Sequence, residues 1–313
     1  MGPDRIKSGL LRGKPAYLAV ILLLLLLLPL SIMAAVTFGT VELPFGDVYR
    51  VIRYELAHML FRQAIPEEWG SGASLGATLA VLLGVGSALG ANYVGVLSFA
   101  GAFGVSVAVI ALANVGGRAN SVKLLLAGSA LSAVCGAFSN FIVYISDSDH
   151  AVTKVVRWTM GSLAAAEWGS NGVIALVALA GTVFFWTQYR TLNLMLLGDE
   201  SAITLGTDLH RSRIVYLIAS SLMVGFAVYN AGMIGFVGLV IPHMARILFG
   251  TDHKKLIPIS ALSGAVFLVW ADVLCRVILP GNEMPIGILT SLLGAPVFIY
   301  LMARKKYGFG GGD

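Results

Sequence analysis

The sequence predicts an all-α, polytopic membrane protein. Of its 313 residues, 58% are hydrophobic and only 12% are charged, and the mean hydropathy is +0.87. Soluble domains carry about 25% charged residues, so a chain this apolar is typical of a bundle of membrane helices. The 37 glycines also suit membrane helices that approach each other closely. The net charge of +5 does not indicate nucleic-acid binding, because the basic residues lie in short loops between apolar segments.

Nine apolar segments are candidates for membrane spans. The first, residues 16–38, follows a basic tail at 1–15 and is longer than the 7–15 apolar residues that are typical of a signal peptide, so we expect a retained span. The main body of the chain, 74–306, contains the other eight, and a glycine-rich tail follows at 307–313. These eight are predicted at Ser74–Gly90, Val94–Ala113, Val122–Ile145, Asn171–Gln188, Ile214–Asn230, Met233–Phe249, Leu256–Cys275 and Pro285–Ala303.

Loop charges predict the orientation, because lysine and arginine mark cytoplasmic loops. With the C-terminal end inside, three basic segments fall inside, namely Arg118–Lys123, Arg190–Arg213 and Lys254–Lys255. The basic N-terminal tail also belongs inside, yet only one predicted span separates it from Ser74. One crossing is therefore missing between Phe38 and Ser74, or the polar segment 39–73 lies on an unexpected side.

Few ionisable residues lie within the predicted spans, and this limits the chemistry. Asp272 and Arg276 are four residues apart on one predicted helix. An intramembrane carboxylate is a candidate functional group, and a helix-end ion pair is an equal alternative. An HExxH motif and a series of buried carboxylates are absent from the sequence, which disfavours a metalloprotease and an ion-coupled carrier. Cys135 and Cys275 lie in apolar segments and are interpreted as packing residues.

The segment Ala231–Arg246, AGMIGFVGLVIPHMAR, combines glycines, a proline and a polar end. Its three glycines recur three residues apart and are expected to place small residues along one helical face. The proline is expected to kink or end the helix, and the histidine and arginine beyond it to meet water. The candidate gate and packing residues are Gly232, Gly235, Phe236, Gly238, Pro242, His243 and Arg246.

The connector, which we define as Arg190–Arg213, is the candidate docking site for a partner. It contains a short predicted helix, Asp199–Leu205, which Gly198 and Gly206 bracket. The N-terminal end of this helix is acidic, as the helix dipole favours. A short helix in a cytoplasmic loop can transmit force to a partner, and an ordinary capped loop helix is the alternative.

These motifs resemble those of the permease subunits of ABC importers for ferric siderophores, haem and vitamin B12. Ala231–Arg246 is similar to that family's GxIGFVGLxxPHxxR, and Leu192–Thr207 is similar to its LNxLxLGExxAxxLG. Three further motifs, at Leu124–Phe138, Ala271–Arg276 and Glu283–Met302, resemble family motifs in the same order. The resemblance covers residues 71–306.

The resemblance implies the type II ABC importer permease fold, with ten spans, in a bacterial or archaeal cytoplasmic membrane. It implies a homodimer in membrane lipid, a separate ABC ATPase subunit that holds ATP and Mg²⁺, and an external substrate-binding protein. This chain would then be no enzyme and would bind no cofactor, metal or nucleic acid of its own. The ATPase-coupling residues would be Leu192, Asn193, Leu197, Gly198, Asp199, Glu200, Ala202, Leu205 and Gly206, and Arg276 would receive the binding protein.

The segment 39–73 departs from the family pattern. The family's RLPR motif, its second span and its NPLA motif are missing at the place where the loop charges lack a crossing. The leading hypothesis is the permease of an ATP-driven importer for iron complexes. One alternative is an inactive or regulatory truncated permease that does not transport by itself. An ion-coupled secondary carrier ranks last.

Overall fold

The computed structural model describes residues 14–37, 67–83, 93–115, 121–146, 149–163, 168–278 and 284–304. In these ranges the chain forms twelve α-helices and no strand, which confirms the predicted all-α class. The helices are α1 Lys14–Thr37, α2 Glu67–Leu83, α3 Tyr93–Asn114, α4 Ser121–Tyr144, α5 Asp149–Thr159, α6 Trp168–Thr187, α7 Tyr189–Met195, α8 Asp199–Thr204, α9 Leu209–Ala231, α10 Val237–Phe249, α11 His253–Ile278 and α12 Ile286–Arg304.

Each of the nine predicted spans has a helix at its position, although the helices differ in length. Within the described residues, α1, α3, α4, α9 and α11 are long and apolar enough to cross a membrane. A sixth span results if α6 and α7, which meet at a bend of 61°, are counted together. The apolar parts of α2, α10 and α12 are shorter. Both cysteines are buried and unbonded.

The helix α11 lies at the centre of the spans. The N-terminal helix α1 runs parallel to it: the Lys255 ammonium lies 5.6 Å from the Tyr17 ring at one end, and the Trp270 indole donates to the Ser31 hydroxyl (3.0 Å) farther along. On another side α10 packs antiparallel to α11. These two contacts bury Leu28, Ile32, Ala265 and Val269 in one cluster and Ala245, Phe249, Leu256 and Ile259 in another.

A second layer contains α2, α3 and α9, which pack through glycines. A methyl group added at Gly101 of α3 would overlap the carbonyl oxygen of Gly72, and one added at Gly76 would overlap that of Leu97. These two contacts show that α2 and α3 are antiparallel and pack backbone to backbone. On its other side, α3 runs antiparallel to α9, because Gly95 faces Tyr229. Small residues permit this approach, as is typical of membrane helices.

The directions of the first two described helices bear on the missing crossing. The helices α1, α9 and α11 all begin at the end of the bundle that carries the connector. Since α2 is antiparallel to α3, and α3 to α9, α2 also runs away from the connector end. The chain thus leaves α1 at the end of the bundle away from the connector, whereas α2, which begins at Glu67, starts at the connector end. This agrees with the inference from loop charges, and residues 38–66 lie outside the described ranges.

Candidate functional site

The connector contains two short helices, where the sequence predicted one, and its last five residues form the start of α9. The unpredicted α7 precedes α8, and α8 ends at Thr204, one residue earlier than expected. Gly198 precedes α8 with φ 92° and ψ 163°, a conformation that is accessible almost only to glycine. Gly206 follows with φ 85°, and its N–H donates to the Ile203 carbonyl (2.9 Å). The next N–H, of Thr207, donates to the Ala202 carbonyl (3.0 Å), which completes a Schellman cap.

The two faces of α8 differ sharply. On the inner face Ala202 is fully buried, and the Asp199 carboxylate forms an ion pair with Arg213 of α9. On the outer side the apolar residues Leu196, Leu197, Ile203 and Leu205 are 48–60% exposed, and we call them the connector patch. Glu200 is exposed as well. Several large apolar residues exposed within a few residues of one another in a polar loop mark a candidate protein-binding surface.

The helix α7 is attached to the turn between α10 and α11. The Asn193 amide donates to the Asp252 carboxylate (2.8 Å), and its oxygen accepts from the His253 N–H (2.9 Å). Burial by itself raises the pKa of Asp252. The hydrogen bonds from the Asn193 amide and the Lys254 N–H, together with the nearby lysine charges, lower the pKa by more than burial raises it. The net pKa of Asp252 therefore lies below its usual value. The stability that this carboxylate contributes is thus present above its unfolded pKa and is lost as the pH falls through the lowered value.

The predicted glycine stripe in Ala231–Arg246 is wrong. Gly232 ends α9 with φ 64°, Gly235 lies in the loop that follows, and Gly238 lies in α10, so the three do not share a helical face. Phe236 is the N-cap of α10 and has φ 65°, a left-handed conformation that is rare outside glycine. We call 232–236 the gate loop. The expectation that a span begins at Met233 is also wrong, because the loop delays α10 to Val237.

The helix α10 passes through Pro242 and ends at Phe249. The proline therefore does not end the helix, although it deprives the Gly238 carbonyl of its usual donor. With 13 residues, α10 rises about 20 Å, less than the roughly 30 Å of a bilayer core. The His243 ring meets Phe298 of α12 edge-on at 6.1 Å, and the Arg246 Nε is buried without a hydrogen-bond partner among the described residues.

An apolar cavity of about 110 Å³ lies beside the gate loop, between α10, α11 and α12. A methyl group at Gly294 of α12 would overlap the Phe236 side chain, so these two helices are in close contact here. The walls of the cavity include Phe236, Met244, Phe267, Thr290 and Val297.

Arg276 lies at the opposite end of α11 from the connector. It forms an ion pair with Asp272 at 2.7 Å, so the structure contains the helix-end pair that the spacing allowed. The loop after α5 is inserted nearby: the Gly287 N–H donates to the Met160 carbonyl (3.1 Å), and the Ser162 N–H donates to the Ala231 carbonyl (2.9 Å). This joins the segment after α5 to the end of α9 and to the start of α12.

The predicted site residues lie in three separate places, in keeping with the three sets in which the sequence analysis named them. The connector and Arg276 lie at opposite ends of α11, whose 26 residues rise about 39 Å, and the gate loop packs against the half of α11 nearer to Arg276. Sequence reasoning missed Trp186, Arg213, Asp252 and His253, which hold the connector in place. An aspartate directly before a helical segment was an available signal for Asp252 as an N-cap. Among the described residues, no three His, Cys, Asp or Glu are arranged to hold a metal ion.

Comparisons with known proteins agree with this architecture. The FecCD transport family matches residues 69–304. The hemin transport system permease protein HmuU of Yersinia pestis is 39% identical over 255 residues, which cover 79% of this chain and 75% of the relative. The cobalamin import system permease protein BtuC of Halobacterium salinarum is 38% identical over 236 residues, 75% of this chain and 62% of the relative.

A solved structure supports the fold independently. It is described as an inward-facing conformation of a metal-chelate type ABC transporter. It superposes with a TM-score of 0.78 at 26% sequence identity and covers 92% of this chain and 100% of the solved chain.

Proposed function

Because this chain belongs to the FecCD transport family, and is thus a multi-pass membrane permease of an ABC importer, we propose that its cargo is an iron chelate, a ferric siderophore or haem, or the related chelate vitamin B12. The named relatives are a hemin and a cobalamin permease. Because their cargoes differ, they support metal chelates as the class of cargo rather than one particular chelate. Choice among these chelates would rest largely with a separate binding protein that docks near Arg276.

The observation that carries the proposal is the connector patch. Ile203 of α8 and the flanking residues Leu197 and Leu205 are each about 60% exposed, and the other face of α8 is anchored to α9 through Asp199. An ABC ATPase that docks on this patch would supply the energy, with ATP and Mg²⁺ held on that subunit. The permease itself would then carry out no chemical step and bind no cofactor.

A second copy of the chain would complete the translocation path. Both α4 and α12 expose large apolar residues, among them Leu125 and Leu292 at 73% and 69%. These faces can meet a partner permease or membrane lipid, and either covers them from water. In this proposal the path follows the two-fold axis and is lined by α4 and by the segment that contains the gate loop and α10.

The sidedness of the connector is the first prediction to test. A single cysteine at Ile203, in a chain with Cys135→Ser and Cys275→Ser, should react with an impermeant thiol reagent only in inverted membrane vesicles. The reason is that an ATPase can reach the patch only from the cytoplasm. A cysteine at Arg157 on α5 is the control and should react in intact cells. Labelling of Ile203→Cys in intact cells would refute the coupling role.

Transport itself is tested in proteoliposomes that contain the permease, its ATPase and the binding protein. ATP-dependent uptake of a ferric siderophore, haem or cobalamin would identify the cargo. Uptake that appears only when a full-length paralogue is added would favour the truncated, regulatory permease. That alternative rests on the loop-charge conflict and on the family motifs that are missing between Phe38 and Ser74. Uptake driven by an ion gradient without ATP would contradict both.

A further inference from the structure

The first turn of α11 is capped by a residue from the connector. The first N–H groups of a helix have no partner within it and need one from outside. The Asp252 side chain supplies one for Lys254 (3.1 Å), as an ordinary N-cap does. The first N–H, of His253, instead donates to the Asn193 side chain of α7 (2.9 Å), and the same oxygen lies 2.8 Å from His253 Nδ1.

A second contact holds the same turn. Pro258 lies inside α11 and lacks an N–H, so the carbonyl of Lys254, four residues earlier, has no donor from the helix. The Trp186 indole N–H, at the end of α6, donates to this carbonyl at 3.0 Å. Side chains from both sides of the 61° bend between α6 and α7 therefore satisfy backbone groups of α11.

The far part of α11 contacts the gate loop and its surroundings. Leu268, Ala271 and Cys275 of α11 belong to one buried cluster with Ile234 and Val237, and Phe267 lines the apolar cavity with Phe236. A displacement at the start of α11 can therefore reach the gate loop through these buried side-chain contacts. The connector's other attachment, the ion pair between Asp199 and Arg213, leads to α9 instead.

We propose that Asn193 is a positioning residue that joins the connector to α11, so that ATP-driven movement of the connector reaches the gate loop through α11 as well as through α9. This inference rests on the proposed function. In this proposal Asn193, which lies on another helix of the same chain, caps the start of α11. Trp186 provides a second attachment by donating to the Lys254 carbonyl that Pro258 leaves without a donor.

The experiment measures chelate transported per ATP hydrolysed in proteoliposomes. Asn193→Ala should lower this ratio by about tenfold, since a hydrogen bond to a carboxylate and a cap are lost together. The amount of ATPase that co-purifies is measured for each variant, and a variant that no longer retains the ATPase overturns the inference, because Asn193 would then act in docking. Ser263→Ala is the matched control, because it removes a hydroxyl of α11 whose one bond within the described part of the chain is to the Ile259 carbonyl of the same helix.

An exchange of the two partners provides a test that a general structural defect would not pass. Asn193→Asp alone places a second carboxylate beside Asp252 and should lower the ratio. Adding Asp252→Asn restores one donor and one acceptor across the contact and should recover most of the parent ratio. This comparison of the single and double variants also tests the role of Asn193 if Asn193→Ala does not accumulate in the membrane.

The outcomes separate the two proposals. If the parent neither retains the ATPase nor transports, the proposed function fails and this inference fails with it. If the parent transports and Asn193→Ala keeps the parent ratio, only the inference is overturned. A double variant that remains as impaired as Asn193→Asp overturns it as well.

Discussion

Gly101→Ala is expected to separate α2 from α3 and to destabilise the permease by about 3 kcal/mol, because an overpacked contact normally costs 1–3 kcal/mol and this one cannot relax. The added methyl group would overlap the carbonyl oxygen of Gly72, which belongs to the backbone of a neighbouring helix. A flexible side chain could turn aside, but a helical backbone cannot. The midpoint of thermal aggregation, followed by size-exclusion chromatography in detergent, should fall by roughly 5–10 °C.

Gly104→Ala is the matched control for this prediction. It lies three residues farther along α3, and a methyl group there would contact nothing within 4 Å. The exchange should stabilise the helix by up to about 1 kcal/mol, since alanine has the higher helix propensity. Equal midpoints for the two variants would show that α2 and α3 do not pack backbone to backbone.

Gly206→Val is expected to uncouple ATP hydrolysis from uptake. Gly206 has φ 85° within the cap that ends α8, and a β-branched residue is strongly disfavoured there. The cost of about 1–2 kcal/mol is large for a helix of six residues, so uptake should fall by roughly tenfold. ATP hydrolysis by the docked ATPase should continue. The measurement is uptake and phosphate release in the same proteoliposomes.

Gly206→Asn separates backbone conformation from side-chain bulk. Asparagine is of similar size to valine but tolerates positive φ, and no atom lies within 4 Å of the added Cβ position. Uptake by this variant should therefore stay near that of the parent. If both variants lose uptake equally, the loss comes from a side chain placed beside the docking surface. If neither loses it, the conformation of the connector does not govern coupling.

The agreement between the sequence-based predictions and the structure differs from region to region. The positions of the spans followed from uncharged stretches, because a chain in lipid must satisfy its backbone hydrogen bonds within helices. The helix α8 and its flanking glycines were also predictable, since capping signals are local. The predicted glycine stripe at Gly232, Gly235 and Gly238 was wrong because spacing alone does not reveal that one helix ends before Gly232 and another begins after Phe236.

The attachments of the connector show the same limit. The predicted helix Asp199–Leu205 was seen as a unit, whereas α7 was missed because its seven residues, YRTLNLM, carry no clear cap or periodicity. Asn193 entered the predicted site only through its place in a motif. Its partners lie 59 and 60 residues away, and no local pattern pairs an asparagine with a turn at that distance.

By itself the sequence determined the all-α membrane class, the positions of nine apolar helices, the loop-charge conflict between Phe38 and Ser74, and the short helix of the connector. Each of these depends on composition or on residues within a few turns of one another. The tertiary structure alone decided that α1 packs along α11, that the gate loop interrupts the Ala231–Arg246 segment, and that Asn193 and Trp186 complete the first turn of α11. The first two features depend on how distant segments pack. The last depends on backbone groups left unpaired by a proline or a helix end, whose partners come near only when distant helices pack together.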